Sequence, residues 1–417
     1  MPDAMDRDAT AKVEQYGMEL CAGENYLQNL NGFDIIFRSP SCRPDLPEIQ
    51  AEVERGAILT SEIEMLLELC PGKVIGVTGS DGKTTTTSLI YEMIKQKGYS
   101  CYLGGNIGTP LFDKIEEMKP DDIVVLELSS FQLMNMKVSP EIAVITNISP
   151  NHLDIHKSYD EYIEAKKNIF KYQSENGLVV LNYDNDITRK IGEEVHSNLV
   201  YFSKQKIDNG YILDGNVIKR CEDGTRRHIV NTEDIILRGV HNYENILAAL
   251  AATQNLVDID TQIRVITSFK GVEHRLELVR ELDGVKWYND SIGTSPTRTI
   301  AGLNSFDERI VLIAGGYDKH LEYEPLAKPI VDHVDTLILL GQTAEKIHCA
   351  VKRELDRQGK TMPIYRCLEL EEAVNLARKT AKSGEIVLLS PASAAFDMFK
   401  NFAERGKIYK ELVNTLK

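Results

Sequence analysis

The chain has 417 residues, of which 42% are hydrophobic and 27% charged, and its formal net charge at pH 7 is -15. This length exceeds what one hydrophobic core usually organises, and the composition excludes a disordered chain, so we expect two or three folded domains. The negative charge disfavours a nucleic-acid partner, and the lack of a long apolar run or a secretory N-terminus favours a cytoplasmic protein that does not enter membranes.

Apolar, β-branched runs followed by helical patterns recur along the chain, which predicts an α/β fold with helices on both faces of parallel sheets. The predicted strands lie at 73–77, 122–128, 142–147, 310–314, 336–340 and 386–390. Residues from about 178 to 237 instead carry turn-rich, alternating segments that favour an antiparallel patch. Boundaries near Pro71 and Gly271 divide the chain into domains 1–70, 71–271 and 272–417.

The segment KVIGVTGSDGKTTTT, residues 73–87, joins an apolar strand to a glycine-containing loop and then to a helix. This order places backbone N–H groups and a helix N-terminus around a polyphosphate. Lys83 would reach the β- and γ-phosphates of ATP, and the Thr84 hydroxyl would ligate Mg²⁺. An incidental glycine turn is the alternative, since Val77 stands where the strict P-loop has glycine. The residues predicted to bind ATP here are Gly79, Ser80, Asp81, Gly82, Lys83, Thr84 and Thr85.

Five blocks together resemble the Mur ligases, whose phosphate loop reads TG[ST][ND]GK[ST]T and stands here at 78–85. The resemblance runs from about Gly32 to the C-terminus. The LELSSFQL and SPASAAFDMFKNFAERG blocks are the most specific and indicate a D-glutamate-adding member, whereas the loop and the HLD block are shared with sister ligases and with folylpolyglutamate synthase. The other blocks are GGNIGTP at 104–110, LELSSFQL at 126–133, TNISPNHLDIH at 146–156 and LLSPASAAFDMFKNFAERG at 388–406.

The resemblance implies three domains: a Rossmann-like N-terminal domain, a central ATPase-like domain with a mostly parallel sheet, and a Rossmann-like C-terminal domain. It also implies a monomer that transfers the γ-phosphoryl group of ATP to UDP-N-acetylmuramoyl-L-alanine. The amine of D-glutamate then attacks the acyl phosphate, a step of peptidoglycan precursor synthesis. Phosphorylation makes chemical sense because a carboxylate is a poor electrophile and phosphate is a good leaving group.

The N-terminal domain is expected to be shortened, because only about seventy residues precede the phosphate-loop strand and no GxGxxG turn occurs among them. The RSPS block at 38–41 still resembles the uracil-side loop of the family, and it makes Ser39 a predicted substrate contact. Loss of uridine-nucleotide binding is the alternative.

The family resemblance implies two Mg²⁺ ions held by Thr84, Glu127, His152 and a carbamylated lysine. Glu127 ends a predicted strand, where a loop could satisfy its carboxylate instead. His152 follows another strand and could instead cap a helix or lie in the core, and Asp154 would either orient it or serve as a helix N-cap. Lys166 is the predicted carbamylated residue, with Lys167 as the alternative; both could also be ordinary solvated charges. Lys83, His152 and Lys166 are therefore the predicted catalytic residues.

The remaining predicted contacts come from matching family positions. Three of these residues have structural alternatives to a binding role: Asn106 could form a turn, Asn242 could cap a helix, and Lys319 could be an ordinary charge on a loop. The residues matched to the muramoyl-alanine part of the substrate are Asn106, Ser129 and Gln132. Those matched to the nucleotide base and ribose are Asn242, Asn245, Arg275 and Asp290. Those matched to D-glutamate are Thr294, Lys319, Ser390, Ala395 and Phe402.

Three positions depart from the family pattern and predict rearranged contacts near the nucleotide and D-glutamate. Ile292 stands where many members have lysine, Ala395 replaces a serine, and Asn151 replaces an aspartate. Two other functions remain open at this stage. One is a related ligase that adds a different amino acid or extends folate; the other is an inactive nucleotide-binding homologue.

Overall fold

The computed structural model describes residues 16–19, 21, 26–150, 156–237, 239–319 and 321–417. The chain divides into two compact units, Met1–Ser268 and Phe269–Lys417. The first unit therefore includes both the predicted 1–70 segment and nearly all of the predicted central segment. Among the described residues, no helix combines the length and apolar character needed to cross a membrane.

The first unit alternates strands and helices along most of its length. Its elements are, in chain order, β1 Ile35–Phe37, α1 Pro47–Glu54, β2 Ile58–Thr60, α2 Glu62–Leu69, β3 Lys73–Thr78, α3 Lys83–Lys97, β4 Cys101–Gly105, β5 Ile123–Glu127, α4 Ser130–Leu133, β6 Ile142–Ile145, α5 Tyr159–Lys167, β7 Leu178–Asn182, α6 Asp186–Ile191, β8 Asn198–Ser203, β9 Gly210–Asp214, β10 Val217–Glu222, β11 Thr225–Asn231, α7 Val240–Thr253 and α8 Ile259–Ser268. Strands β1 and β2 pair in parallel as a small separate sheet.

Strands β3 to β11 form one sheet in the order β11-β10-β9-β8-β7-β6-β3-β5-β4. Strands β5, β6 and β7 are buried along their whole length, as expected for parallel strands covered on both faces. The prediction of an antiparallel patch from 178 was wrong at its start, because β7 and β8 pair in parallel with their neighbours. Within this sheet, the antiparallel pairing is confined to β9, β10 and β11.

The second unit is built around a sheet in the order β12-β13-β17-β14-β15-β16. All its pairings are parallel except that of β12 with β13. The elements are β12 Glu277–Leu282, β13 Val285–Asn289, α9 Pro296–Leu303, β14 Ile310–Ala314, α10 Glu324–His333, β15 Val334–Leu339, α11 Ala344–Gln358, β16 Ile364–Arg366, α12 Leu370–Thr380, β17 Ile386–Leu389 and α13 Phe402–Thr415.

The central strand β14 explains why this second sheet carries helices on both sides. Ile310 and Leu312 belong to one buried cluster, and Val311 and Ile313 belong to another. Because successive side chains of a strand point to opposite faces, each face of the sheet needs its own covering of helices. The α/β class predicted from the sequence is thus confirmed in both units.

Candidate functional site

The phosphate loop follows β3 and ends at the first residue of α3. Gly79 and Gly82 have φ values of 151° and 78°, which favour glycine. A Cβ atom on Gly79 would lie 1.8 Å from Thr146 Oγ1, and one on Gly82 would lie 2.1 Å from Asn245 Oδ1. Both glycines are therefore required for the close approach of this loop to β6 and α7.

Lys83, the first residue of α3, lies back over the phosphate loop. Its Nζ donates hydrogen bonds to the carbonyl oxygens of Gly79 at 2.8 Å and Ser80 at 3.0 Å. Thr84 and Thr85 follow it and are largely buried. The loop thus presents a helix N-terminus, an ammonium group and a threonine hydroxyl in one place, which is the donor set that a polyphosphate needs.

Glu127 ends β5 next to this loop, since β5 pairs with β3 in parallel. Asn106 anchors it twice: its backbone N–H donates to the Glu127 carbonyl at 2.8 Å, and its Nδ2 donates to Oε1 at 3.0 Å. The other carboxylate oxygen, Oε2, is buried and has no hydrogen-bond partner among the described residues. A loop therefore satisfies half of this carboxylate, and the other half is suited to a cation.

Lys166, near the end of α5, is only 1% exposed. Its Nζ donates to the Gly79 carbonyl at 2.9 Å and to Thr78 Oγ1 at 3.2 Å, and it lies 4.8 Å from the centre of the Tyr162 ring. Burial, assisted by the nearby charge of Lys83, lowers the pKa of Lys166 well below its ordinary value. Its amine therefore loses its proton more readily than that of an ordinary lysine.

The neighbouring lysine has a different environment. Lys167 Nζ forms ion pairs with Glu164 at 2.7 Å and Glu194 at 2.5 Å. Carboxylates hold it as an ammonium group away from the phosphate loop. Of the two lysines left open by the sequence, Lys166 is the one that contacts the loop.

Residues 151–155 lie outside the described part of the chain, and with them the predicted His152 and Asp154 and the departure at Asn151. The next residue, His156, is described and was not singled out by the sequence analysis. It is buried beside Tyr162, whose hydroxyl lies 2.9 Å from Ser80 Oγ. A signal was present, because Tyr162 stands four residues before Lys166 and so shares its helix face.

The predicted muramoyl-alanine contacts are partly used within the fold. Ser129 and Gln132 form a reciprocal capping box at the start of α4. Asn106 and Gln132 nevertheless line a cavity of about 250 Å³ beside Gly105. Ser39 is exposed on a loop next to Arg38, whose buried guanidinium donates to the Phe131 carbonyl at 2.8 Å. The N-terminal loop is thereby attached to the LELSSFQL block.

Asn242 and Asn245 lie on the first turns of α7. Asn245 Oδ1 accepts a hydrogen bond from Thr86 Oγ1 at 3.3 Å, and its Nδ2 donates to Asn242 Oδ1 at 3.4 Å. Gly239 is the N-cap residue of α7, so Asn242 does not act as the cap that the sequence left open. These amides lie in the first unit, whereas Arg275 and Asp290 lie in the second.

In the second unit, predicted residues gather at the carboxyl ends of the parallel strands. Asp290 follows β13, and its Oδ2 accepts a hydrogen bond from Ser390 Oγ at 2.6 Å, just after β17. Arg405, missed by the sequence analysis although it lies in a quoted block, is buried. It donates to the Ser291 carbonyl at 2.8 Å and to the carbonyls of Ser393 and Ala394. It fixes the segments after β13 and β17 to each other.

The other predicted residues of this unit are more dispersed. Lys319 is exposed after β14, with Nζ 6.0 Å from the centre of the Phe396 ring. Ala395 is buried and Phe402 is partly exposed at the start of α13. Thr294 and Arg275 are partly exposed, as is Ile292, one of the departures.

Asp290 should make the second unit sensitive to pH. Burial raises the pKa of Asp290 to about 6, although the Ser390 hydrogen bond and the charge of Arg275 oppose this. A folded state that holds a proton more tightly than the unfolded chain loses stability as pH rises from about 4 to 6. The loss amounts to about 3 kcal/mol above that range.

We therefore expect Asp290→Asn to raise the free energy of unfolding of this unit at pH 7.5 and to have little effect at pH 4. Trp287 is the only tryptophan of the chain and is buried in this unit, so its fluorescence reports the unfolding. Asp307→Asn, at an exposed carboxylate of the same unit, serves as the control. Equal pH dependence in Asp290→Asn and the unaltered chain would contradict the prediction.

Comparison with known proteins agrees with this geometry. Residues 77–253 match the Mur ligase middle domain, and residues 274–393 match the Mur ligase, glutamate ligase domain. UDP-N-acetylmuramoylalanine–D-glutamate ligase of Acetivibrio thermocellus is 55% identical over 97% of this chain and 88% of its own length. The proteins of the same name from Clostridium botulinum (strain Langeland) and Clostridium novyi are 52% and 50% identical, over 97% and 98% of this chain and 88% and 89% of theirs.

Solved structures of low sequence identity share the fold. UDP-N-acetylmuramate–alanine ligase from Thermotoga maritima has a TM-score of 0.62 at 22% identity, covering 98% of this chain and 92% of that chain. The MurF ligase of the same organism, solved in complex with ADP, has a TM-score of 0.56 at 20% identity, covering 93% and 95%. The chain belongs to the Mur ligase family, in its group of UDP-N-acetylmuramoylalanine–D-glutamate ligases.

Proposed function

We propose that this chain uses ATP to join D-glutamate to UDP-N-acetylmuramoyl-L-alanine, as a cytoplasmic monomer in peptidoglycan precursor synthesis. The observation that carries the proposal is the convergence of Lys83, Lys166 and Glu127 on one phosphate loop. The relatives at 50–55% identity supply the identity of the substrates. They do not favour a ligase for another amino acid or folate, or an inactive homologue.

The first step joins two anions. A carboxylate oxygen of the alanyl group attacks the γ-phosphorus of ATP, and the bond from that phosphorus to the bridging oxygen breaks, releasing ADP. Charge repulsion opposes this approach, so catalysis depends on positioning and on fixed positive charge. Lys83 and the N–H groups at the start of α3 supply that charge at the phosphate loop.

Magnesium fits the residues that surround the loop. Thr84 supplies a hydroxyl and Glu127 a carboxylate, and the buried Oε2 of Glu127, which has no hydrogen-bond partner among the described residues, is the observation that fits a cation. We propose that Thr84, Glu127, His152 and a modified Lys166 hold the two Mg²⁺ ions expected for the family. When bound, Mg²⁺ neutralises phosphate charge.

Carbamylation of Lys166 is the proposed modification. The uncharged amine attacks carbon dioxide, a nitrogen–carbon bond forms while one C=O π bond breaks and its electrons go to oxygen, and the nitrogen loses a proton to solvent. The lowered pKa of Lys166 favours the uncharged amine, whereas the ion pairs of Lys167 with Glu164 and Glu194 favour the protonated form of that residue. The product is an anion next to the phosphate loop, which adds the second carboxylate-like ligand that a divalent cation prefers.

In the second step the amine of D-glutamate attacks the acyl carbon, phosphate leaves and the amine loses a proton. We propose that Lys319 pairs with a D-glutamate carboxylate, since it is exposed at a glycine-bracketed strand end. Thr294, Ser390, Ala395 and Phe402 complete that proposed pocket. Asn106, Ser129, Gln132 and Ser39 are assigned to the nucleotide-sugar substrate, and Asn242, Asn245, Arg275 and Asp290 to the base and ribose of ATP.

An ADP-release assay tests this function. With ATP, Mg²⁺ and UDP-N-acetylmuramoyl-L-alanine present, we expect turnover with D-glutamate and none with L-glutamate. Parallel reactions with L-lysine, meso-diaminopimelate and a folate test the related ligases. Turnover with one of these and not with D-glutamate would overturn the proposal, as would a lack of turnover with every acceptor.

Replacement of Gly82 tests the phosphate loop separately. We expect Gly82→Ala to weaken ATP binding by about tenfold, which corresponds to about 1.4 kcal/mol, because a Cβ at this left-handed position collides with Asn245. Gly98→Ala is the matched control, since Gly98 also has a positive φ at the other end of α3 but nothing lies within 4 Å of its Cβ position. Calorimetric titration with ATP measures both, and equal affinities would contradict the expectation.

A further inference from the structure

The buried residue His156 joins three parts of the first unit. Its side chain is fully shielded from solvent. Its Nε2 lies 2.9 Å from Ser130 Oγ, and its ring stacks on Phe131 at 5.3 Å with an interplanar angle of 13°. The rings of His156 and Tyr162 form a T-shaped pair, with centroids again 5.3 Å apart and an interplanar angle of 77°. Such offset and edge-on ring pairs have defined geometry, so they orient the groups they join.

On one side, this contact leads to the phosphate loop and Lys166. Ser80 Oγ donates to the Ser149 carbonyl at 3.0 Å, so its own proton is used, and the Tyr162 hydroxyl is left to donate to Ser80 Oγ at 2.9 Å. The Tyr162 ring also lies under Lys166 Nζ. The orientation of Tyr162 therefore bears on both the loop and the amine.

On the other side, the contact leads to the turn before α4. Ser130 is the first residue of α4 and directly follows Ser129, the capping residue assigned to the nucleotide-sugar substrate. The position of His156 is itself fixed, since Glu161 Oε2 lies 3.5 Å from its Nδ1 and Arg43 binds the same carboxylate with both terminal nitrogens. A carboxylate on that side favours a proton on Nδ1, which leaves Nε2 to accept from the Ser130 hydroxyl.

We propose that His156 is a positioning residue with two separable roles. Its ring holds Tyr162 so that Lys166 is placed for carbamylation, and its Nε2 holds Ser130 so that the α4 turn is placed for the nucleotide-sugar substrate. This inference rests on the proposed function. It concerns a residue that acts through its contacts with Tyr162 and Ser130.

Two substitutions separate the roles. His156→Phe keeps a flat ring against Tyr162 and removes the acceptor for Ser130. His156→Gln keeps a polar group near Ser130 and removes the ring. Both are compared with the unaltered full chain in two binding measurements that need no turnover. The carbamate is followed by its carbon-13 NMR signal after incubation with labelled bicarbonate, and UDP-N-acetylmuramoyl-L-alanine is titrated by calorimetry.

We expect a crossed pattern. His156→Gln should need about fivefold more bicarbonate for the same carbamate signal. Its substrate Kd should change less than about twofold. His156→Phe should keep the carbamate signal and raise the substrate Kd about fivefold. Ser130→Ala is the matched control for the second role. Combined with His156→Phe it should raise the substrate Kd no further, because both substitutions remove the same hydrogen bond between His156 and Ser130.

If His156 only stabilised the fold, both substitutions would affect the carbamate signal and the substrate Kd together. Parallel losses in both variants, no change in either, or the absence of a carbamate signal from the unaltered chain would each overturn the inference. The proposed function fails differently. If the unaltered chain does not turn over D-glutamate, the carbamate measurement on the two variants still decides whether His156 acts on Lys166.

Discussion

Lys83→Ala is expected to lower the rate of ADP release with both substrates present by about 10² to 10³-fold, because removing one preorganised cation from a developing phosphoryl charge has an effect of this order. The ammonium group lies over the loop and donates to the backbone carbonyls of Gly79 and Ser80, and the Lys83 side chain is only partly buried. The substitution therefore removes charge without opening a core. A normal thermal unfolding midpoint should accompany the loss of rate.

The matched control is Lys95→Ala. Lys95 is an exposed lysine in the last turn of the same helix, so its removal changes the net charge equally and leaves the phosphate loop intact. We expect its rate to stay within about twofold of the unaltered chain, as surface substitutions usually have small effects. Comparable rates for the two variants would mean that Lys83 does not act on the phosphates.

The second large effect is expected for Lys166→Ala, which should lower the rate at least a hundredfold, on the order of 3 kcal/mol in the barrier. The substitution removes the proposed anion next to Glu127, which is a ligand and charge-balancing group. It also removes a buried side chain that bonds to Gly79 and Thr78. Loss of rate alone would therefore not separate chemistry from packing.

Chemical rescue separates them. A short carboxylate such as propionate supplies the anion in the space vacated by the lysine side chain, so it should restore part of the rate of Lys166→Ala. It should have no effect on Lys83→Ala. Lys167→Ala is the control within the same helix, because Lys167 is paired with Glu164 and Glu194 and should be dispensable. Full activity of Lys166→Ala without any added acid would remove Lys166 from the site.

Much of the candidate site could be predicted from the sequence, because it depends on the spacing of residues along the chain. The phosphate loop, with its flanking β3 and α3, is a continuous segment whose glycines and lysine stand at fixed offsets. The strand that contains Glu127 was likewise predicted from a local pattern, at 122–128. Local backbone preferences and periodicity decide such features within a few residues.

The pairing of strands was harder to predict, because it depends on contacts between residues that are distant in the sequence. The segment from 178 was predicted to be antiparallel because of its turns. In the fold, β7 is a buried strand that inserts beside β6 in parallel. A short apolar run carries little information on direction, because burial on both faces erases the alternation that marks an exposed strand.

By itself, the sequence determined the α/β class, the phosphate loop and the family resemblance, because each depends on patterns within contiguous stretches of residues. Only the tertiary structure decided that Lys166 rather than Lys167 faces the loop, and that one oxygen of Glu127 is left without a partner among the described residues. The reason is burial. Lys166 and Gly79 lie 87 residues apart, and their contact exists only because the fold brings the Lys166 side chain to the end of β3, where it is shielded from water. That exclusion lowers the pKa of the amine, a property that no local pattern contains.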